Sequence, residues 1–167
     1  SQSDVVFASS TKLEIDYGGI KDAADRVAFI EQFGIKIDDE PIEEKSFKMP
    51  KEFDRVILGY NELQKKQGFD LAKYAKKNVE RYTYRITNYD GYDGTVYANI
   101  LVYRNKVIGG DICSADVGGF IHEINQFLET QHFRFRLQYR IKIRIFVIGI
   151  MGCLISINRH FINKLPG

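Results

Sequence analysis

Residues 82–111, YTYRITNYDGYDGTVYANILVYRNKVIGGD, decide how this chain is read. Tyr82, Tyr84 and Ile86 alternate with Thr83, Arg85 and Thr87, the period-two pattern of a strand with one apolar and one polar face. Asp90-Gly91-Tyr92-Asp93-Gly94 is dense in turn formers. Thr95–Tyr103 and Val107–Cys113 then read as strands paired about Asn105, a residue that tolerates the left-handed backbone of a tight hairpin. Three strands joined by two turns predict the centre of an antiparallel sheet.

Upstream, Leu13, Ile15 and Tyr17 alternate with polar residues and predict a short first strand, ended by Gly18-Gly19. Asp22 fits a helix N-cap, with Asp25 in the favourable first turn. Val27, Ile30 and Phe33, with Phe29 beside them, form the apolar stripe of that helix, and Gly34 sits where a left-handed cap belongs. Ile35 and Ile37 predict a strand broken at Pro41, and Phe47 and Met49 alternate once more. Pro50 predicts the start of a second helix, because its missing N–H costs nothing at the first position. Phe53, Val56, Tyr60 and Leu63 would be its inward face, Lys65 and Lys66 its last turn, and Gly68 its cap. Phe69, Asp70, Leu71 and Tyr74 predict a connecting turn docked on the core. Downstream, Phe120, Ile121, Ile124, Phe127 and Leu128 predict a third helix over about 118–129.

The fold class that follows is α+β: one domain, an antiparallel sheet with two or three helices packed mainly on one face. That domain is expected over residues 1–130, and 131–167 read as a basic, apolar C-terminal extension. Apolar residues occupy 133, 135, 137, 139, 141, 143 and 145 with mostly Arg and Lys between them, a strand pattern. The apolar run 145–155 is short of the ~20 residues that a membrane-crossing helix needs.

At 167 residues the chain is long enough for one domain with a proper core. Its 44% hydrophobic and 28% charged content is that of a globular protein. The net charge of +2 hides an asymmetry: residues 131–167 hold seven bases and no acid, so 17 bases face 22 acids in the remainder. An acidic body disfavours nucleic acid as a partner. The two cysteines, Cys113 and Cys153, are too few for a disulfide framework and lack metal-ligand spacing. A chain opening on Ser1 reads as one whose natural N-terminus was removed, so the missing signal segment says nothing against export.

Several segments match in order one domain family of Gram-positive, clostridial-type bacteria. They are DRVAFIEQFGIKIDDEPIE, MPKEFDRVILGYNELQKKQGFDLAKY, VERYTYRITNY, and ANILVYRNKVIGGDICS with GGFIHEI behind it. Over about residues 10–124 the chain resembles this family of small exported proteins, often lipoproteins, which has no assigned activity. The resemblance implies an α+β domain outside the cytoplasm, anchored by an N-terminal lipid that preceded Ser1. It carries over no catalytic residue, and the tail does not match.

Cys113 and His122 are the pair that resembles a nucleophile and a base, with Asp111 or Asp116 to orient it. Cysteine is more often a buried, inert residue, and a Cys113–Cys153 bridge is a further alternative. Asn88, Asp90, Asp93, Asp111 and Asp116 carry oxygen ligands, yet the loop misplaces its Gly and lacks the closing Glu of a Ca²⁺ site, so no metal is expected. Gly109-Gly110 lacks the residues of a phosphate loop and fits a bulge or close backbone packing. No cofactor is expected. Tyr82, Tyr84 and Tyr97, with Arg81 and Arg85, form the expected ligand or partner surface. Arg134, Arg136, Arg140, Lys142 and Arg144 would meet an anionic surface, or guard a strand edge against aggregation.

The expected function is therefore that of an extracytoplasmic, envelope-associated, non-catalytic binding module, with an envelope component or another protein as partner. Peripheral membrane contact would come through the lost lipid or the basic tail. The alternatives are a small thiol-dependent enzyme using Cys113 and His122, and an assembly protein that dimerises through its tail strand.

Overall fold

The computed structural model describes residues 14–128. The chain divides into two units, Ser1–Ile124 and Asn125–Gly167. Of the second, residues 125–128 are described, with 126–128 helical. The extension from 131 onward, including Arg134, Arg136, Arg140, Lys142, Arg144 and Cys153, lies outside the described residues.

The first unit is built on a five-stranded antiparallel sheet in sequential order: β1 (Glu43–Lys48), β2 (Asn78–Arg85), β3 (Val96–Tyr103), β4 (Lys106–Ser114) and β5 (Ile121–His122). The helix α1 (Ala23–Glu31) precedes the sheet. Between β1 and β2 come α2 (Arg55–Lys66) and a short 3₁₀ turn, Leu71–Tyr74. The α+β class expected from the alternation of Tyr82–Ile86 and the Asn105 hairpin is the one observed. Arg104 and Asn105 both have positive φ, 47° and 60°, the two-residue turn whose twist matches the flanking strands.

Register sorts the side chains, because directly opposed residues share a face. Phe47 opposes Val79, and Lys45 opposes Arg81. Arg81 opposes Leu101, and Thr83 opposes Asn99. Asn99 opposes Asp111, Tyr97 opposes Cys113, and Cys113 opposes Ile121. These residues share one face, called here the cleft face. The register slips between Leu101 and Val102, where Leu101 opposes Gly109 but Val102 opposes Val107. Ile108 is thus the extra residue of a β-bulge.

α2 and the Leu71–Tyr74 turn cover the cleft face, where Met49, Leu71, Val79, Leu101 and Ile108 form a buried cluster. α1 meets the other face: Arg26 Nε donates to the Tyr84 hydroxyl at 2.9 Å, and its guanidinium lies 3.9 Å over the Tyr82 ring. Phe29, Ile30 and Phe33 are buried, as are Tyr84, Ala98, Ile100 and Ile112 of that face. Each buried Phe or Ile among them contributes about 1.5–3 kcal/mol of burial.

Both helices are capped by aspartate. Asp22 accepts from Asp25 N while Asp25 Oδ2 accepts from Asp22 N, a reciprocal box that starts α1 as the sequence predicts. α2 begins five residues after Pro50 instead of at it, because Asp54 accepts from Ile57 N and sets the first turn there. Its inward face also differs from the apolar stripe. Val56 is 79% exposed, whereas Asn61 and Gln64 are buried.

Two further expectations are corrected. Ile15 and Tyr17 lie outside any strand, and Ile35 and Ile37 contribute one isolated bridge, Ile37 to Ile86. The third helix is not formed over 118–125: Ser114 N donates to Phe120 O, and Ile121 and His122 pair with β4. Sheet pairing there satisfies backbone groups that a helix starting at Gly118 would have left beside an open β4 edge.

The remainder of that outer edge is closed by side chains and loop. Val107 N donates to Tyr17 O at 2.8 Å. Gly110 N donates to Gln64 Oε1 and Gly110 O accepts from Gln67 Nε2, both at 2.8 Å. Gln67 Oε1 also accepts from Ile124 N at 2.9 Å. Two glutamines one helical turn apart thus stand in for a neighbouring strand.

Candidate functional site

Between α2 and the cleft face lies a hollow of about 390 Å³. Its walls are apolar: Phe47, Met49, Ile57, Leu71, Leu101 and Ile121. Arg81, Asn99, Asp111, Cys113 and Tyr60 add the polar groups. An apolar recess of this size with a few convergent polar groups is the usual form of a small-ligand site. A larger hollow of about 590 Å³ spans the ends of β1–β3, but its charged and amide residues, Lys48, Asn78, Glu80, Arg104 and Asn105, are all exposed.

The polar groups form one chain of hydrogen bonds. Thr83 Oγ1 donates to Asn99 Oδ1 at 2.6 Å. Asn99 Nδ2 donates to Asp111 Oδ1 at 2.8 Å and reaches Cys113 Sγ at 3.3 Å. From α2, the Tyr60 hydroxyl donates to Asp111 Oδ2 at 2.6 Å. Asp111 is 3% exposed. Burial pushes its carboxyl above the ordinary value, against the pull of Tyr60, Asn99 and the Arg81 charge. Burial, reinforced by the Asp111 carboxylate, drives the Tyr60 phenol well above its ordinary value. Burial and the same carboxylate raise the Cys113 thiol.

Arg81 stands beside this chain on β2. One of its terminal nitrogens, Nη2, pairs with Glu43 of β1. Its Nε is buried and has no acceptor among the described residues.

The residues singled out in the sequence fall in different places. Arg81, Arg85, Tyr97 and Cys113 share the cleft face, and Arg81 and Cys113 line the hollow. Arg85 instead pairs with Asp38, at 2.7 Å. Tyr82 and Tyr84 point to the opposite face. Tyr84 is fully buried. Tyr82 donates to Glu80 at 2.8 Å, and burial followed by that carboxylate pushes its phenol up to about 12. The expected Tyr–Arg surface is therefore divided by the sheet.

Cys113 and His122 are also divided: His122 opposes Ile112, while Cys113 opposes Ile121. His122 joins an aromatic group instead. It stacks on Phe120, with centroids 5.5 Å apart, and bonds the Tyr89 hydroxyl through Nε2 at 2.9 Å. Among the described residues no cluster of His, Cys, Asp or Glu has the makings of a metal site. Tyr92 bonds Asp116, which ties the 90–94 loop to the segment before β5.

Tyr60 and Asn99 were not legible as site residues. Tyr60 reads as one more member of an apolar helix stripe. Asn99 has a visible signal, a carboxamide within the otherwise apolar strand VYANILVY.

No curated protein and no solved structure matches the chain. The family model described as "Domain of unknown function (DUF4830)" matches residues 29–112, half of the sequence. That span takes in Tyr60, Arg81, Asn99 and Asp111 and stops short of Cys113 and His122. The chain belongs to the DUF4830 family.

Proposed function

We propose that this domain is a non-catalytic binding module that works outside the cytoplasm at the cell envelope, and that it binds through the hollow beneath α2. The observation that carries the binding half is the position of Asp111, Asn99 and Tyr60. They form a satisfied, buried polar chain set among apolar walls. Such a chain can orient a ligand, while burial and the Asp111 carboxylate hold the neighbouring Cys113 thiol above its ordinary value. The envelope half rests on the resemblance to exported proteins. The partner is accordingly an envelope component or a protein exported with this one.

The thiol-enzyme alternative finds no histidine base for Cys113 among the described residues, since His122 lies across the sheet. Dimerisation through the tail strand concerns residues outside the described ones.

An amide-resolved NMR titration with a fragment library tests the site. Shifts concentrated at Tyr60, Asn99, Asp111 and Cys113 are expected. A folded domain on which no fragment perturbs those amides ends the binding reading. Recovery of the native protein from the cytoplasmic fraction of its own cells ends the envelope reading.

A further inference from the structure

The polar groups of the hollow differ in what they have left to give, and this difference selects a ligand. Asp111 has both oxygens engaged, Oδ1 by Asn99 and Oδ2 by Tyr60. Arg81 Nε is a donor with no acceptor among the described residues. Leaving such a donor buried is costly, and an acceptor carried by a ligand would satisfy it. Resting on the reading of the hollow as a binding site, we propose that its ligand is an amphipathic carboxylate, held by the Nε/Nη2 edge of Arg81 with its apolar body between α2 and the sheet.

The guanidinium geometry favours a carboxylate over a neutral acceptor. Nε–H and Nη2–H point in parallel and match the two oxygens of one carboxylate. Glu43 uses only the Nη2 corner, and it does so from an exposed position on β1 where a salt bridge has little net strength. An incoming carboxylate displaces Glu43 and satisfies both corners. Asp111 accepts from Tyr60 and Asn99 on its two oxygens, which offsets part of the repulsion that a second carboxylate meets. The remaining wall of Met49, Ile57, Leu71 and Leu101 offers nothing to a polar body and suits an alkyl or aryl one.

The test is isothermal titration of the full 167-residue chain with decanoate, decanol and decylamine, repeated on Arg81→Lys and Glu43→Gln. Decanoate is expected to bind about tenfold more tightly than decanol. Arg81→Lys, which keeps the charge and loses the fork, should narrow that preference while decanol binding persists. Glu43→Gln should tighten decanoate, a gain that misfolding cannot produce. Equal binding of decanoate and decanol, or tightest binding of decylamine, overturns the carboxylate assignment and leaves the binding site standing. If none of the three binds the folded protein, the reading of the hollow as a binding site fails with it.

Discussion

Cys113 and His122 sit one register step apart on paired strands, and their side chains emerge on opposite faces of the sheet. Cys113 looks into the hollow with Asp111 and Asn99. His122 stacks on Phe120 and bonds Tyr89. Nine residues of separation in sequence leave the distance open, and strand parity then settles the direction. The thiol is left beside a carboxylate and an amide, neither of which draws off its proton.

Cys113 should consequently label slowly at neutral pH. Burial and the neighbouring Asp111 raise its thiol above the ordinary value, so the rate of iodoacetamide labelling should rise only at alkaline pH, beyond the ~8.5 of a free cysteine. The measurement is made in a Cys153→Ser background. His122→Ala should leave the profile in place. An inflection near neutrality that vanishes with His122→Ala would contradict the geometry.

Asp111 makes stability depend on pH in an unusual direction for a carboxylate. Its folded value lies above the unfolded one, so the folded state holds the proton more tightly. Its contribution is most favourable below the unfolded value, about 3.9, and weakens as pH rises from there through the folded value. Asp111→Asn removes the titration and keeps both partners, Asn99 donating to Oδ1 and the amide donating to Tyr60. The variant should match or exceed wild-type stability at neutral pH and lose that advantage on acidification. Urea unfolding at a series of pH values reads this directly. An advantage that grows toward acid would refute it.

Gly109→Ala should destabilise the domain. A Cβ there would lie 3.0 Å from Gln64 Oε1, 3.2 Å from Leu101 Cδ1 and 3.3 Å from Leu71 Cδ2, in the packed layer between α2 and the sheet. Overpacking of this kind costs about 1–3 kcal/mol. Gln67→Ala should cost a similar amount by a separate route, leaving Gly110 O and Ile124 N without their partner. Thermal denaturation of each variant is the check, and a neutral Gln67→Ala would show that water replaces the glutamine along the β4 edge.

What the sequence makes legible is local. Asp22 and Asp25 announce α1, Gly34 and Gly68 announce helix ends with φ of 72° and 85°, and Asn105 announces the hairpin. Pro50 and Asp54 are both good openings for α2, and the Asp54 side-chain bond to Ile57 N wins. Its inward face departs from the apolar spacing because Asn61 and Gln64 are buried for hydrogen bonds: Asn61 accepts from Leu71 N, and Gln64 from Gly110 N. Residues 121–122 look helical by apolar spacing, yet an open β4 edge claims them. The site was the least legible part, since Tyr60 and Asp111 stand 51 positions apart and meet only through tertiary packing.

The bulge at Ile108 decides which side of the sheet the site occupies. Were Ile108 paired with Leu101, so that the hairpin ladder ran unbroken from Val102–Val107 at its present length, Asp111 would come to rest opposite Ala98 instead of Asn99. The carboxyl and the thiol two residues on would then turn toward α1, and Arg81 would face an empty wall. Straightening the ladder at that length thus abolishes the site while leaving every one of its residues in the gene, whereas deleting the bulge residue Ile108 keeps Asp111 opposite Asn99. Relatives of this chain inherit the site through the bulge as much as through the identity of Asn99 and Asp111: a β3–β4 hairpin of this length needs the bulge, one a residue shorter needs an unbroken ladder, and a comparison that scores residues without counting that spacing would misjudge which of them retain it.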